Sequence, residues 1–195
     1  TTLILTNAYR GVNLSGIACK AHKMNSGFHV ENLTIIGSNN GILAQSARQA
    51  IVSNITIKDL LASVSVLNCD NSSFRDIIVE NSPAGFVLDG NISCDFYGCQ
   101  SINSTGIGIS IIGTSINIVI DGCNSSNNGG VGLNVSAPAT NCIIANSIFN
   151  NNNDKGINTD PGSITCTIIN CVVRNNASWG IDYDGVNNII DTCVV

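Results

Sequence analysis

Residues 142–151 read Cys-Ile-Ile-Ala-Asn-Ser-Ile-Phe-Asn-Asn, and residues 166–175 read Cys-Thr-Ile-Ile-Asn-Cys-Val-Val-Arg-Asn. Laid over one another, Cys142 meets Cys166, Ile144 meets Ile168, Phe149 meets Val173 and Asn151 meets Asn175. Residues 118–127, Ile-Val-Ile-Asp-Gly-Cys-Asn-Ser-Ser-Asn, fit the same frame. Within each stretch the apolar residues alternate, the signature of strand rather than helix. A strand pattern that returns after a fixed interval is the mark of a stacked solenoid.

Working outward, the interval is 22 to 24 residues along nearly the whole chain. One column of large apolar residues runs Val30, Val52, Phe74, Phe96, Ile120, Ile144, Ile168, Ile190. Three positions on lies Leu33, Ile55, Ile77, Cys99, Cys123, Ser147, Cys171, Cys193. Two further on lies Ile35, Ile57, Val79, Ser101, Ser125, Phe149, Val173, Val195. A small residue followed by an apolar one recurs as Gly41-Ile42, Ser63-Val64, Gly85-Phe86, Gly108-Ile109, Gly130-Val131, Gly156-Ile157 and Gly180-Ile181. Each period holds three short strands and polar turns, and no segment has an amphipathic helical pattern. The expected fold is all-β: one single-stranded parallel β-helix domain over 1–195, of about eight coils spaced by about 4.8 Å. Asn7 and Gly37 stand 30 positions apart, which places a loop insertion at 15–26 with Cys19, His22 and Met24.

The composition agrees. Charged residues are 11% and apolar residues 44%, with 29 asparagines. Asn tolerates left-handed turns and its amide can both donate and accept. The expected ladder is Asn7, Asn81, Asn103, Asn127, Asn151 and Asn175, with Gly37 and Asp59 completing the column. A net charge of −5 without a basic cluster excludes nucleic acid and anionic membrane as partners. No apolar run reaches the roughly 20 residues that span a bilayer.

The nine cysteines do not read as a disulfide framework. Cys94, Cys142 and Cys166 share one inward column, and Cys99, Cys123, Cys171 and Cys193 another, so they stand in for small hydrophobes. Stacked Cβ atoms about 4.8 Å apart exceed the roughly 3.8 Å of a relaxed disulfide. Buried thiols imply folding in a reducing compartment, and the expected destinations are a cell surface, a virion or the extracellular space. No Cys/His cluster has zinc spacing, so no metal or other cofactor is expected.

These columns and the Asn ladder resemble the right-handed parallel β-helix, pectin-lyase-like superfamily, from Leu3 to Val195. The handedness is what the resemblance implies. The superfamily holds lyases, hydrolases, epimerases, tailspikes, adhesins and non-enzymatic domains, so it leaves function open.

One local motif bears on function. Asn158-Thr159-Asp160 resembles a signature of the polygalacturonase family, in which an Asp pair follows one coil later. Carried over, Asp160, Asp182 and Asp184 are the candidate catalytic carboxylates of an inverting hydrolase. This chain departs from that pattern: Tyr183 separates the last two, with its side chain expected inward, and the family's Gly-His-Gly and Arg-Ile-Lys are absent. The outward columns are expected to run Gly132, Asn158, Asp182 and Asn134, Asp160, Asp184, with at most a weakly held cation such as calcium among the acids. Asn134, Asn158 and Trp179 are the candidate glycan-binding residues, Trp179 as a ring for stacking. Lys58 is expected to pair with Glu80 on the next coil.

Three functional readings follow. The leading one is a rigid structural or recognition module of the spike, fibre or adhesin kind, presenting a polar face to glycans or partner proteins. The second is a polysaccharide-active enzyme, and the third is a self-assembling filament subunit stacked on copies of itself. The chain is expected to be part of a longer protein or of an assembly.

Overall fold

A computed structural model describes residues 2–15, 29–136 and 138–195, with side chains placed at 29–37, 41–136 and 138–195. The expected insertion at 15–26 lies outside the described residues apart from the backbone of Ser15. The described residues form an all-β parallel solenoid of about seven turns with no helix.

The described strands stack in three parallel columns, or sheets, around the solenoid, the second continuing beyond Ser126 only as single bridges at Ile148, Val172 and Val194. The first stacks Val30 on Val52, Phe74, Phe96, Ile120, Ile144, Ile168 and Ile190. The second stacks Ile35, Ile57, Val79, Ser101 and Ser125. The third stacks Ala44 on Val66, Leu88, Ile111, Val135 and Thr159. Between third and first sheets a line of single bridges joins Arg48, Asp70, Ile92, Ile116, Thr140, Ile164 and Val186. Every pairing is parallel, so equivalent residues of successive coils lie over one another, as the sequence columns require.

The core is the inward half of this alternation. Val52, Ile55, Ile57, Phe74, Ile77, Val79, Ile120, Ile144 and Ile168 are fully buried. Phe74 and Phe96 stack with ring centroids 4.9 Å apart and planes 7° from parallel, which the in-register coils impose. The eight described cysteines are unpaired; seven are buried. Cys99, Cys123 and Cys171 each lie near a carbonyl of the preceding coil, at 3.5, 3.4 and 3.7 Å. A thiol there fills the space of a small hydrophobe and gives its weak donor an acceptor. Burial pushes the Cys94 thiol up to about 12 and that of Cys171 to about 11.

The coils turn through left-handed corners. Gly37, Asp59, Asn81, Asn103, Asn127, Asn151 and Asn175 have φ between 54° and 69°. A second corner is left-handed at Asn32, Asn54, Asp76, Gly98, Gly122, Asn146, Asn170 and Thr192. Gly, Asn and Asp are the residues that bear this conformation at least cost.

The buried amide ladder differs from the expected one by a single residue. Asn81, Asn103, Asn127, Asn151 and Asn175 make the corner but leave their side chains exposed, and the side chain of Asn7 lies outside the description. The residue after each corner turns inward instead. Asn128 and Asn152 are 1% exposed, and Asn152 accepts from the Asn128 backbone N–H at 3.1 Å and from its Nδ2 at 3.0 Å. Asn152 donates in turn to the Ser125 carbonyl at 3.1 Å and to Asn176 Oδ1 at 3.0 Å. Asn176 donates to the Phe149 carbonyl at 2.9 Å. The left-handed residue bends the backbone, and the next side chain satisfies the polar groups that the bend exposes inside.

This ladder also dictates the glycines. A Cβ on Gly108, Gly132 or Gly156 would stand 2.6 Å from the Nδ2 of Asn128, Asn152 or Asn176. The small-apolar element of that coil is therefore Gly132-Leu133, not Gly130-Val131, with Leu133 between Ile109 and Ile157. A shift of two residues keeps the in-out alternation, so the apolar pattern alone does not distinguish them.

Candidate functional site

The strands Leu133–Val135, Ile157–Thr159 and Ile181–Tyr183 stack at the later end of the third sheet. Asn134, Asn158 and Asp182 are in register and form one outward column with Ser110 before them. Asn134 therefore belongs with Asn158, not with Asp160 as the shifted repeat frame implied. The second outward column is Ser136, Asp160 and Asp184, whose backbone N–H groups donate to Ile111, Val135 and Thr159 at 2.8, 2.9 and 3.2 Å. Thr159 and Tyr183 share the inward column, where Thr159 is 1% exposed with its hydroxyl unpartnered; Tyr183 is 38% exposed on the last rung.

A cation that the sequence reading missed organises this face. Lys155 precedes Gly156 just as Trp179 precedes Gly180, and backbone bonds from Gly132 and Gly156 place Val131, Lys155 and Trp179 in one column. Lys155 Nζ pairs with the Asp182 carboxylate and donates to Asn158 Oδ1 at 2.9 Å. The same ammonium lies 5.8 Å from the centroid of the Trp179 ring, within cation–π reach. Asn158 passes the order on, donating to Asn134 Oδ1 at 2.7 Å and to Asp160 Oδ1 at 2.9 Å. Asn134 donates to Ser136 Oγ at 2.7 Å. One network thus spans three coils.

Its electrostatics follow from the geometry. The hydrogen bond to Asp182 raises the Lys155 pKa, burial opposes it, and the charges of Asp182, Asp154 and Asp160 add to the rise. Lys155 is a persistent cation at neutral pH and not a proton acceptor. Asp182 is only 8% exposed and Asp160 half-buried, while Asp184 is exposed. Trp179 is 63% exposed, with much of its indole open to solvent.

The structure brings Asn134, Asn158, Asp160 and Asp182 into one bonded network, places Trp179 against its lysine and sets Asp184 on the rung after Asp160. Among the described residues, no group of three or more His, Cys, Asp or Glu side chains is placed to hold a metal ion. No described helix is long and apolar enough to cross a membrane. Lys58 meets Glu80 at 2.7 Å on the next coil, as expected. A depression of about 430 Å3 at the last turn is lined by Val173, Arg174, Asn175, Asn176, Gly180 and Val195 and by none of the three acids.

Stacked parallel coils, left-handed corners and an internal Asn ladder define a β-helix solenoid. The chain belongs to the right handed beta helix family, whose profile matches residues 15–195. No curated protein matches its sequence. Among solved structures it is similar to the A-module of the Azotobacter vinelandii mannuronan C-5 epimerase AlgE6, with a TM-score of 0.78 at 18% identity. That alignment covers 96% of this chain and 57% of the module, so the chain spans little more than half of it. An alginate lyase from Paenibacillus gives a TM-score of 0.67 at 15% identity, covering 96% of this chain and 75% of the lyase. The Agl-KA catalytic domain gives 0.59 at 17% identity, over 97% and 40%.

Proposed function

We propose that this protein is a rigid module that recognises polysaccharide through the outer face of its third sheet. The observation that carries the reading is the Lys155 network. One ammonium fixes Asp182 and Asn158 beside a largely exposed Trp179 ring. A sugar ring stacks on the indole, while the second amide N–H of Asn134 and the carboxylate of Asp184 offer a donor and acceptors to its hydroxyls. The side chains are held by coils at fixed spacing, so little ordering entropy is lost on binding. Structural similarity to a mannuronan epimerase and an alginate lyase supports a polysaccharide as the ligand class.

A second reading, an enzyme acting on polysaccharide, is favoured by those same similarities and by Asp184 lying exposed on the rung after Asp160. Against it stands the prior engagement of the other acids: Asp182 is paired with Lys155 and Asp160 accepts from Asn158. Co-sedimentation with insoluble glycans, run beside assays for new reducing ends, unsaturated ends and altered sugar configuration, separates the two readings. Binding without turnover, lost in Trp179→Leu, supports recognition. Turnover abolished by Asp160→Asn or Asp184→Asn establishes the enzyme instead, and absence of both binding and turnover across acidic and neutral glycans refutes both.

A further inference from the structure

The first sheet carries a second arrangement of charge and ring, remote from Lys155. Arg75 lies in the strand Ser73–Glu80, and the register places Asp95 over Ser73 and Tyr97 over Arg75. The Arg75 Nε donates to Ser73 Oγ at 2.7 Å, and its guanidinium carbon lies 5.2 Å from the Tyr97 ring centroid. Two restraints on different coils therefore fix the plane of an exposed guanidinium.

Four other described basic side chains face acids, whereas Arg174 makes no ion pair with a described residue. His29 faces Glu31 at 3.3 Å, Arg48 faces Asp70 at 3.6 Å, Lys58 faces Glu80 at 2.7 Å and Lys155 pairs with Asp182. Arg75 is held instead by an uncharged hydroxyl and a ring, and no carboxylate among the described residues reaches ion-pair distance of it. Its Nε is used, but the two terminal amino groups of the fork are not, and a planar fork matches an oxyanion better than an ammonium does. Asp95 beside Ser73 and Asp121 beyond Tyr97 lie in the same two outward columns. They are acceptors for sugar hydroxyls.

We propose that Arg75, clamped between Ser73 and Tyr97, binds the oxyanion of an acidic sugar residue, a uronate carboxylate or a sulfate ester, on a polysaccharide lying across the first sheet. The sugar's charged group engages the fork, and its hydroxyls face Asp95 and Asp121. This site is independent of the Lys155–Trp179 face, and with both occupied the solenoid holds one polymer at two points or two polymers at once.

The test is NMR on the full chain, following the Arg75 Nε–Hε and Tyr97 ring resonances during titration with oligogalacturonate, a sulfated dextran oligomer and a neutral dextran oligomer. One or both acidic oligomers are expected to shift these resonances saturably, and which one does so names the source of the oxyanion. Arg75→Gln is expected to weaken that binding about tenfold or more, from loss of a charged hydrogen-bonding group. Arg75→Lys keeps the charge but loses the fork, and Tyr97→Leu releases the clamp; each is expected to weaken binding about fivefold while the thermal midpoint holds. Equal response to the neutral oligomer, wild-type affinity in Arg75→Lys, or no response to either acidic oligomer overturns the proposal. Trp179→Leu is expected to leave the Arg75 response intact, so failure at one face is distinguishable from failure at the other.

Discussion

The buried amide ladder makes a quantitative prediction because two adjacent asparagines hold opposite roles. Asn152 is 1% exposed and its side chain makes four hydrogen bonds, two donated and two accepted. Asn152→Ala removes all four and leaves the Asn128 backbone N–H buried without an acceptor. At about 1 kcal/mol for each net hydrogen bond and 1–3 kcal/mol for a stranded buried donor, the loss comes to roughly 4 kcal/mol after partial relaxation. That is a large part of the roughly 5–15 kcal/mol that holds a domain together. Asn151 is exposed with φ 56°, so Asn151→Ala costs only the left-handed penalty of about 1 kcal/mol, and Asn151→Gly stays within about 0.5 kcal/mol of wild type. Thermal unfolding reads the contrast as a midpoint loss of about 8–16 °C for Asn152→Ala against about 2–4 °C for Asn151→Ala. If Asn151→Ala proves as damaging as Asn152→Ala, the assignment of corner and ladder is wrong.

Other consequences follow from the same coordinates. Cys94 and Cys171 are raised by burial to about 12 and about 11. Raised folded-state values mean that stability is complete below the unfolded thiol range near 8.5 and falls as pH rises toward the folded values. Each of these two thiols gives a loss of about 1.4 kcal/mol per pH unit between pH 9 and 11, beside Cys69 and Cys99, which burial also raises. Urea unfolding under reducing conditions should show Cys94→Ala lowering the total slope by about that amount. Lys155→Met strands Asp182 at 8% exposure and is expected to cost about 2–3 kcal/mol in the same assay, a cost absent from Lys155→Met/Asp182→Leu. Gly156→Ala would put a Cβ 2.2 Å from Val173 Cγ1 and 2.6 Å from Asn176 Nδ2, and about 3 kcal/mol of destabilisation is expected by thermal melt.

The inward columns were legible because alternation and period act together. Val30 to Ile190 stack as the sequence orders them, since a one-residue slip would turn every apolar side chain outward. Where two frames both preserve alternation, periodicity is silent: Gly130-Val131 and Gly132-Leu133 fit equally well, and only the Asn152 amide under Gly132 decides. The same ambiguity hid the ladder, because Asn127-Asn128, Asn151-Asn152 and Asn175-Asn176 offer two asparagine columns side by side. Ser82 and Ser104 in the second column, both buried, were the available hint that it faces inward. Lys155 lies outside the Asn158-Thr159-Asp160 motif. Its signal was a charge replacing Ile107 and Val131 in a column that next holds Trp179.

Trp179 is the only tryptophan in the chain, so its fluorescence reports directly on the face assigned to polysaccharide. The decisive measurement is a titration of that emission with a panel of acidic and neutral polysaccharides, repeated in Lys155→Met. Recognition through this face predicts a saturable shift or quench with at least one polymer, weakened about tenfold when the lysine that orders Asn158 and Asp182 is removed. Emission unchanged by every polymer, while co-sedimentation shows the polymer bound, would place recognition elsewhere and contradict the account.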